Sequence, residues 1–132
     1  MLGKIAVDNY RQGYNCSKCM LKAYETTFNT TLPEQCISAC SCVNSGFGFG
    51  GFCSSLIGSF MIFGLHFDDT TAKRLRIKLI NAFYDEFGSF DCAMLKSNSD
   101  ADSICEDLIY FAGELVEKLI LEEIWNLYTM PH

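Results

Sequence analysis

The stretch "NSGFGFGGFCSSLIGSF", residues 44–60, decides how the chain is read. Gly46, Gly48 and Gly51 fall in the order G-x-G-x-x-G, the dinucleotide-binding fingerprint. That fingerprint works between a strand and a helix, with an acidic residue about 20 positions on to hold a ribose. A helical run does follow, and Asp68 and Asp69 lie near the right distance. The strand is missing. "PEQCISACSCVNS", residues 33–45, reads as helix into turn, and no βαβ units follow to build a sheet. The glycines therefore mark a loop that lets the backbone approach another group closely. That loop ends on Cys53, which the spacing places in the first turn of the next helix. Free amides and the helix dipole there favour an anion, which would lower the thiol's pKa toward neutrality.

Outward from this loop, apolar residues recur at three and four rather than alternating, so the elements are helices. A first helix is predicted over Gly3–Arg11, stopping near Gly13. Asn15 is a good N-cap for a second over Cys16–Phe28, with Met20, Leu21 and Tyr24 on its buried side. "TTLPEQC" starts a third, about Pro33–Val43, and an apolar helix follows the loop over Phe52–Leu65. "DDTTAK" caps a helix over Thr71–Phe87, with Ala72, Leu75, Leu79, Ala82 and Phe83 inward and Gly88 ending it. "FDCAML" is a short turn or helical piece. "SNSDADS" caps the last helix, about Ala101–Asn126, whose stripe is Ile104, Leu108, Phe111, Ala112, Leu115 and Leu119. The expected fold is all-α: a bundle of about five to seven helices, one domain over residues 1–132, with a glycine-rich loop before a buried apolar helix.

The composition narrows the function. The formal net charge is −6, which argues against nucleic acid as a partner. The basic cluster Lys73, Arg74, Arg76 and Lys78 reads as the solvated face of a helix. Glu106, Glu114, Glu117 and Glu122 likewise read as the outer face of the last helix. Residues 35–67 carry no Asp, Glu, Lys or Arg, but the glycines break the run and leave "FCSSLIGSFMIFGL", too short for a span of about 20 apolar residues. No membrane partner is expected. The N-terminus has neither an apolar signal core nor a small-residue cleavage site, which points to the cytoplasm.

Eight cysteines in a reducing compartment point to redox chemistry, metal ligation or small buried hydrophobes rather than staples. Cys53 is the first candidate nucleophile. Cys16 is the second, because it follows the Asn15 cap and forms a C-x-x-C with Cys19, the redox spacing used at helix starts in thioredoxin-like proteins. Met20 stands where C-x-x-C-H would need histidine, so covalent c-type haem is excluded. Cys36, Cys40 and Cys42 form C-x₃-C-x-C, with Cys36 and Cys40 sharing a helix face. They read as buried thiols or an auxiliary metal site. His66, at the end of the apolar helix, reads as a C-terminal helix residue that favours the dipole, with a ligand or general-base role as the alternative. His132 is terminal. Phe47, Phe49, Phe52, Phe60 and Phe63 read as packing, or as the wall of an apolar pocket beside Cys53. Trp125 and Tyr128 are candidates for a contact between two copies of the chain.

Four segments, "GYNC" (13–16), "GFCSSLIG" (51–58), "FGSFDC" (87–92) and Cys105 at the start of the last helix, together resemble the C-GCAxxG-C-C family. Its members are small, mostly helical and described as redox-active. The resemblance runs from about Ala6 to Leu121 and implies that Cys16, Cys53, Cys92 and Cys105 are the family's cysteines. Ser54 and Ser55 depart from it, because the family has a glycine and a small residue after its second cysteine; Gly58 is retained. Two chemistries stay open at this point. One is dithiol–disulfide exchange with a redox partner protein or a small-molecule oxidant or reductant, Cys92 and Cys105 being partner thiols. The other is ligation of an iron–sulfur cluster or zinc by Cys16, Cys53, Cys92 and Cys105. A non-catalytic helical interaction module is the third reading.

Overall fold

A computed structural model describes residues 1–97 and 100–129, with the side chains of residues 101 and 102 outside the description. The expectation for His132 and part of the "SNSDADS" cap lie outside the described residues. Among the described residues seven α-helices follow one another: α1 Leu2–Arg11, α2 Cys16–Thr27, α3 Glu34–Ser38, α4 Ser54–His66, α5 Asp69–Phe87, α6 Cys92–Ser97 and α7 Ala101–Thr129. The fold is all-α. Among the described residues the only extended pairing is an isolated antiparallel bridge between Phe52 and Asp91. No described helix is long and apolar enough to cross a membrane.

Local chemistry sets the helix ends. The Asn15 side chain accepts from the backbone N–H groups of Ser17 and Lys18, and that of Asp68 accepts from Thr71, each satisfying donors a helix start leaves open. Gly88 ends α5 in the left-handed region, the conformation glycine adopts without a Cβ penalty. The third helix stops at Ser38, short of the expected Val43. Its continuation is a turn in which Cys40 N–H bonds to Ile37 and the Cys40 carbonyl accepts from Asn15 Nδ2 at 2.9 Å. That side-chain bond takes the carbonyl a continuing helix would have used.

The long α7 packs on α1, α4 and α5, while α2 lies between α1 and α4. Leu2, Met20, Leu21, Leu56, Ile62, Phe63, Leu75, Leu79, Phe83, Ile109, Val116 and Ile120 make the fully buried core, each such side chain contributing about 1.5–3 kcal/mol by burial. Ala72 and Ala82 are half-buried. The buried side of α4 is less apolar than expected. It carries Ser54, Ser55, Gly58 and Ser59, while Leu65 is exposed. Small residues are needed because α2 crosses there: a Cβ on Gly58 would come within 3.1 Å of Ser17 and Met20.

The acidic face of α7 is not simply solvated. Glu114 and Glu117 accept from the backbone N–H groups of Gly3 and Leu2 at the start of α1, a cap supplied from across the fold. Arg74, read as part of a solvated basic face, reaches across from α5 to the buried Glu123 with two hydrogen bonds. Glu106 pairs with Arg11. Glu122 is exposed, as read. Trp125 and Tyr128 are exposed at the C-terminal end of α7.

Candidate functional site

The glycine loop works by curling back on itself. Gly46, Gly48 and Gly50 all have positive φ, and Gly51 N–H bonds to the Gly46 carbonyl at 2.9 Å. A Cβ on Gly46 would collide with the Gly51 backbone. The curled loop delivers residues 51–53 alongside residues 90–92. Cys53 N–H bonds to Phe90 O at 2.8 Å, and Cys92 N–H bonds to Gly51 O at 2.6 Å. Cys53 and Cys92 are thus brought together by backbone pairing across a gap of nearly forty residues in sequence.

A second tie brings Cys16 to the same place. Ser17 Oγ donates to the Ser54 carbonyl at 2.6 Å and lies 2.7 Å from Ser54 Oγ. This joins the first turn of α2 to the first turn of α4. The serines that replace the family's small residues are both used, since Ser55 Oγ lies 3.0 Å from Cys53 Sγ. Cys105 enters from the first turns of α7.

The four cysteines Cys16, Cys53, Cys92 and Cys105 accordingly line one pocket, with Ser45, Ser54, Ser55, Lys96, Leu108 and Ile109. They come from four separate segments of chain. Cys53 and Cys105 are buried, Cys16 and Cys92 half-buried. None of the phenylalanines of the loop and α4 lines the pocket. Phe47 and Phe49 are exposed, and Phe52 instead stacks on Phe90 and packs at a tilt against Phe60. Cys19 is fully buried and donates to the Cys16 carbonyl at 3.1 Å; burial pushes its thiol up to about 12.

The electrostatics of the pocket differ from the expectation for Cys53. That residue is the N-cap of α4 rather than part of its first turn. Burial raises its pKa, against the hydrogen bonds from Ser55 and Leu56 that favour the thiolate, and the neighbouring charge of Cys92 adds to the rise. Desolvation outweighs the helix start. Cys16 is also raised, first by its hydrogen bond with the Cys105 side chain, then by burial, then by the charges of Cys105, Cys19 and Cys53. Thiols this close cannot all ionise together, so their protons leave as a coupled set.

Lys96 is the cation of the pocket. Burial depresses its ammonium, but the charges of Cys105, Cys92 and Cys16 and a hydrogen bond with the Cys92 side chain more than offset this, and the net direction is upward. Cys92 and Lys96 stand four apart on α6, the spacing that makes side chains neighbours on a helix. Lys96 was not singled out from the sequence, although this Cys-x₃-Lys spacing was there to find.

A family model described as "Putative redox-active protein (C_GCAxxG_C_C)" matches residues 14–119. The chain belongs to this family. The matched region of this redox-active family holds all four cysteines of the pocket and leaves α1 outside. Comparison with curated proteins and with solved structures gave no match.

The residues that line the pocket set the limits of any cofactor site there. The space they enclose is about 20 Å³, room for about one water. Among the described residues no three His, Cys, Asp or Glu side chains form a group that could hold a metal ion. As they stand, the four cysteines do not fit an iron–sulfur cluster or a tetrahedral zinc. His66 is engaged elsewhere: its Nδ1 lies 2.8 Å from Tyr24 Oη, remote from the pocket's lining residues.

Proposed function

We propose that this protein exchanges dithiol for disulfide, with Cys92 as the attacking thiol, Cys53 resolving it, and Cys16 and Cys105 as a second pair. The carrying observation is that four cysteines from four segments share one small pocket with a lysine. Cys92 takes the nucleophile's place ahead of Cys53 because it is half-buried rather than buried and stands one helical turn from Lys96 in the same pocket. A partly exposed thiol is the one that a substrate disulfide can reach.

The chemistry balances without a cofactor. The Cys92 thiolate attacks one sulfur of a disulfide substrate, forming a mixed disulfide and releasing the other sulfur as a thiolate that takes up a proton. The Cys53 thiol loses its proton and displaces the substrate's remaining sulfur. The substrate disulfide is reduced by two electrons and Cys53–Cys92 is oxidised by two. The Cys16–Cys105 pair can then reduce Cys53–Cys92 by the same exchange. The partner class is a protein disulfide or a small disulfide oxidant, and a reducing compartment such as the cytoplasm would restore the thiols.

Equilibration in glutathione or dithiothreitol redox buffers, followed by alkylation and mass analysis, tests this reading. Reversible loss of four alkylatable thiols in two-electron steps, with Cys19, Cys36, Cys40 and Cys42 still alkylatable after unfolding, is expected. Uniform behaviour of all eight, or no reversible step, would reject it.

A further inference from the structure

Near the start of α2, outside the residues that line the cysteine pocket, lies a second sulfur group, which the dithiol chemistry does not use. Cys40 is fully buried, and its Sγ lies 3.5 Å from Met61 Sδ. It also points back to the Cys36 carbonyl at 3.6 Å. Cys36 and Met61 line one apolar groove with Leu21, Ala39, Gly64 and Leu65. Two thiols and a thioether from α3, the turn after it and α4 therefore gather at one apolar groove, Cys40 buried beneath it and Cys36 and Met61 half-buried in its wall. No carboxylate or imidazole lines this groove.

We propose that Cys36, Cys40 and Met61 form a binding site for a single Cu(I) ion. Thiolate and thioether are the soft ligands that select Cu(I), and hard cations have no oxygen ligand among the groove's side chains. Methionine matters here: counted by His, Cys, Asp and Glu alone, these residues do not make a ligand group. Binding would release the two thiol protons to solvent, and Met61 would remain neutral. The resulting site carries one net negative charge, which Lys18, whose charge already acts on Cys40, would partly offset. The anchor is preorganised. Asn15 caps α2 with its oxygen and holds the Cys40 carbonyl with its nitrogen, fixing the turn that aims Cys40 at Met61.

The test is anaerobic titration of the full reduced chain with Cu(I) against bicinchoninate, a chromophoric competitor. Cys36→Ser and Met61→Leu should each weaken the tightest-bound ion by roughly 10–100-fold, a loss that removal of even an outer-sphere partner can produce. Cys105→Ser, in the other pocket, should leave that ion in place. Equal affinity in wild type, Cys36→Ser and Met61→Leu, or loss of the ion in Cys105→Ser, would overturn the assignment. A second measurement needs no cysteine variant. In selenomethionine-labelled protein, X-ray absorption at the copper edge should show a selenium neighbour that disappears in Met61→Leu; a copper shell without selenium would overturn it as well.

Discussion

Replacing Ser17 with alanine tests how the two helix starts that carry Cys16 and Cys53 are joined. Ser17 has one hydroxyl proton, and the Ser54 carbonyl can only accept, so that proton goes to the carbonyl at 2.6 Å. The Ser54 hydroxyl must then be the donor in the 2.7 Å contact with Ser17 Oγ. Ser17 and Ser54 are both buried. Ser17→Ala thus removes both bonds and leaves the Ser54 hydroxyl proton without an acceptor out of reach of water, while the Ser54 carbonyl keeps its bond within α4. At about 1 kcal/mol for each, the loss is about 2 kcal/mol. For a chain of this length that is about 7 °C in Tm. Ser54→Ala removes only the donated bond and should cost about 1 kcal/mol. The double variant no longer buries an orphaned hydroxyl, so its loss should fall short of the sum by about 1 kcal/mol. Urea unfolding followed by far-ultraviolet circular dichroism, with reductant present, gives all four values. A Ser17→Ala loss under about 0.5 kcal/mol, or strict additivity in the double variant, would refute the reasoning.

Other consequences can be checked alongside it. Gly46→Ala should destabilise the protein by more than Gly48→Ala in thermal melts, because both positions have positive φ but only the first places a Cβ against backbone. Gly48→Ala should cost about 1–2 kcal/mol from the left-handed conformation alone, and equal losses would mean the curled loop is wrong. Lys96→Met should slow bimane labelling of Cys92 at a fixed neutral pH by removing the cation beside it; an unchanged rate would remove lysine from the site. Burial lowers the His66 pKa, so the unfolded chain takes up that proton first. Stability from this residue is therefore complete above the unfolded histidine value of about 6.5 and is lost as pH falls toward the folded value. His66→Gln should flatten that slope between about pH 7 and 5, and an unchanged slope would assign it elsewhere.

Features decided by neighbours in sequence were legible without coordinates. Asn15 as an N-cap, Gly88 as a helix end and the inward positions Leu75, Leu79 and Phe83 depend on residues within a turn or two, and the structure has each in that role. The glycine loop was legible as a loop, but not as the device that pairs residues 51–53 with 90–92, because nothing local specifies a distant partner. The same limit explains the glutamates. Glu114 and Glu117 look solvated along α7 until α1 lays its N-terminus on them, and Arg74 looks solvated on α5 until Glu123 of α7 faces it. Cys53 differs for another reason. Its place at a helix start was readable, but the pKa direction depends on burial, which a helix-terminus argument does not contain. Lys96 was legible in principle, since its spacing from Cys92 is purely local.

The central claim is that the pocket holds two working dithiols, and the most direct measurement is a peptide map after mild oxidation. The reduced protein, treated with diamide under native conditions, is alkylated, digested without reduction and analysed by mass spectrometry. The account predicts two linkages, Cys53–Cys92 and Cys16–Cys105, with Cys19, Cys36, Cys40 and Cys42 recovered as alkylated thiols. Disulfides confined to those other four cysteines, or no intramolecular disulfide at all, would contradict it.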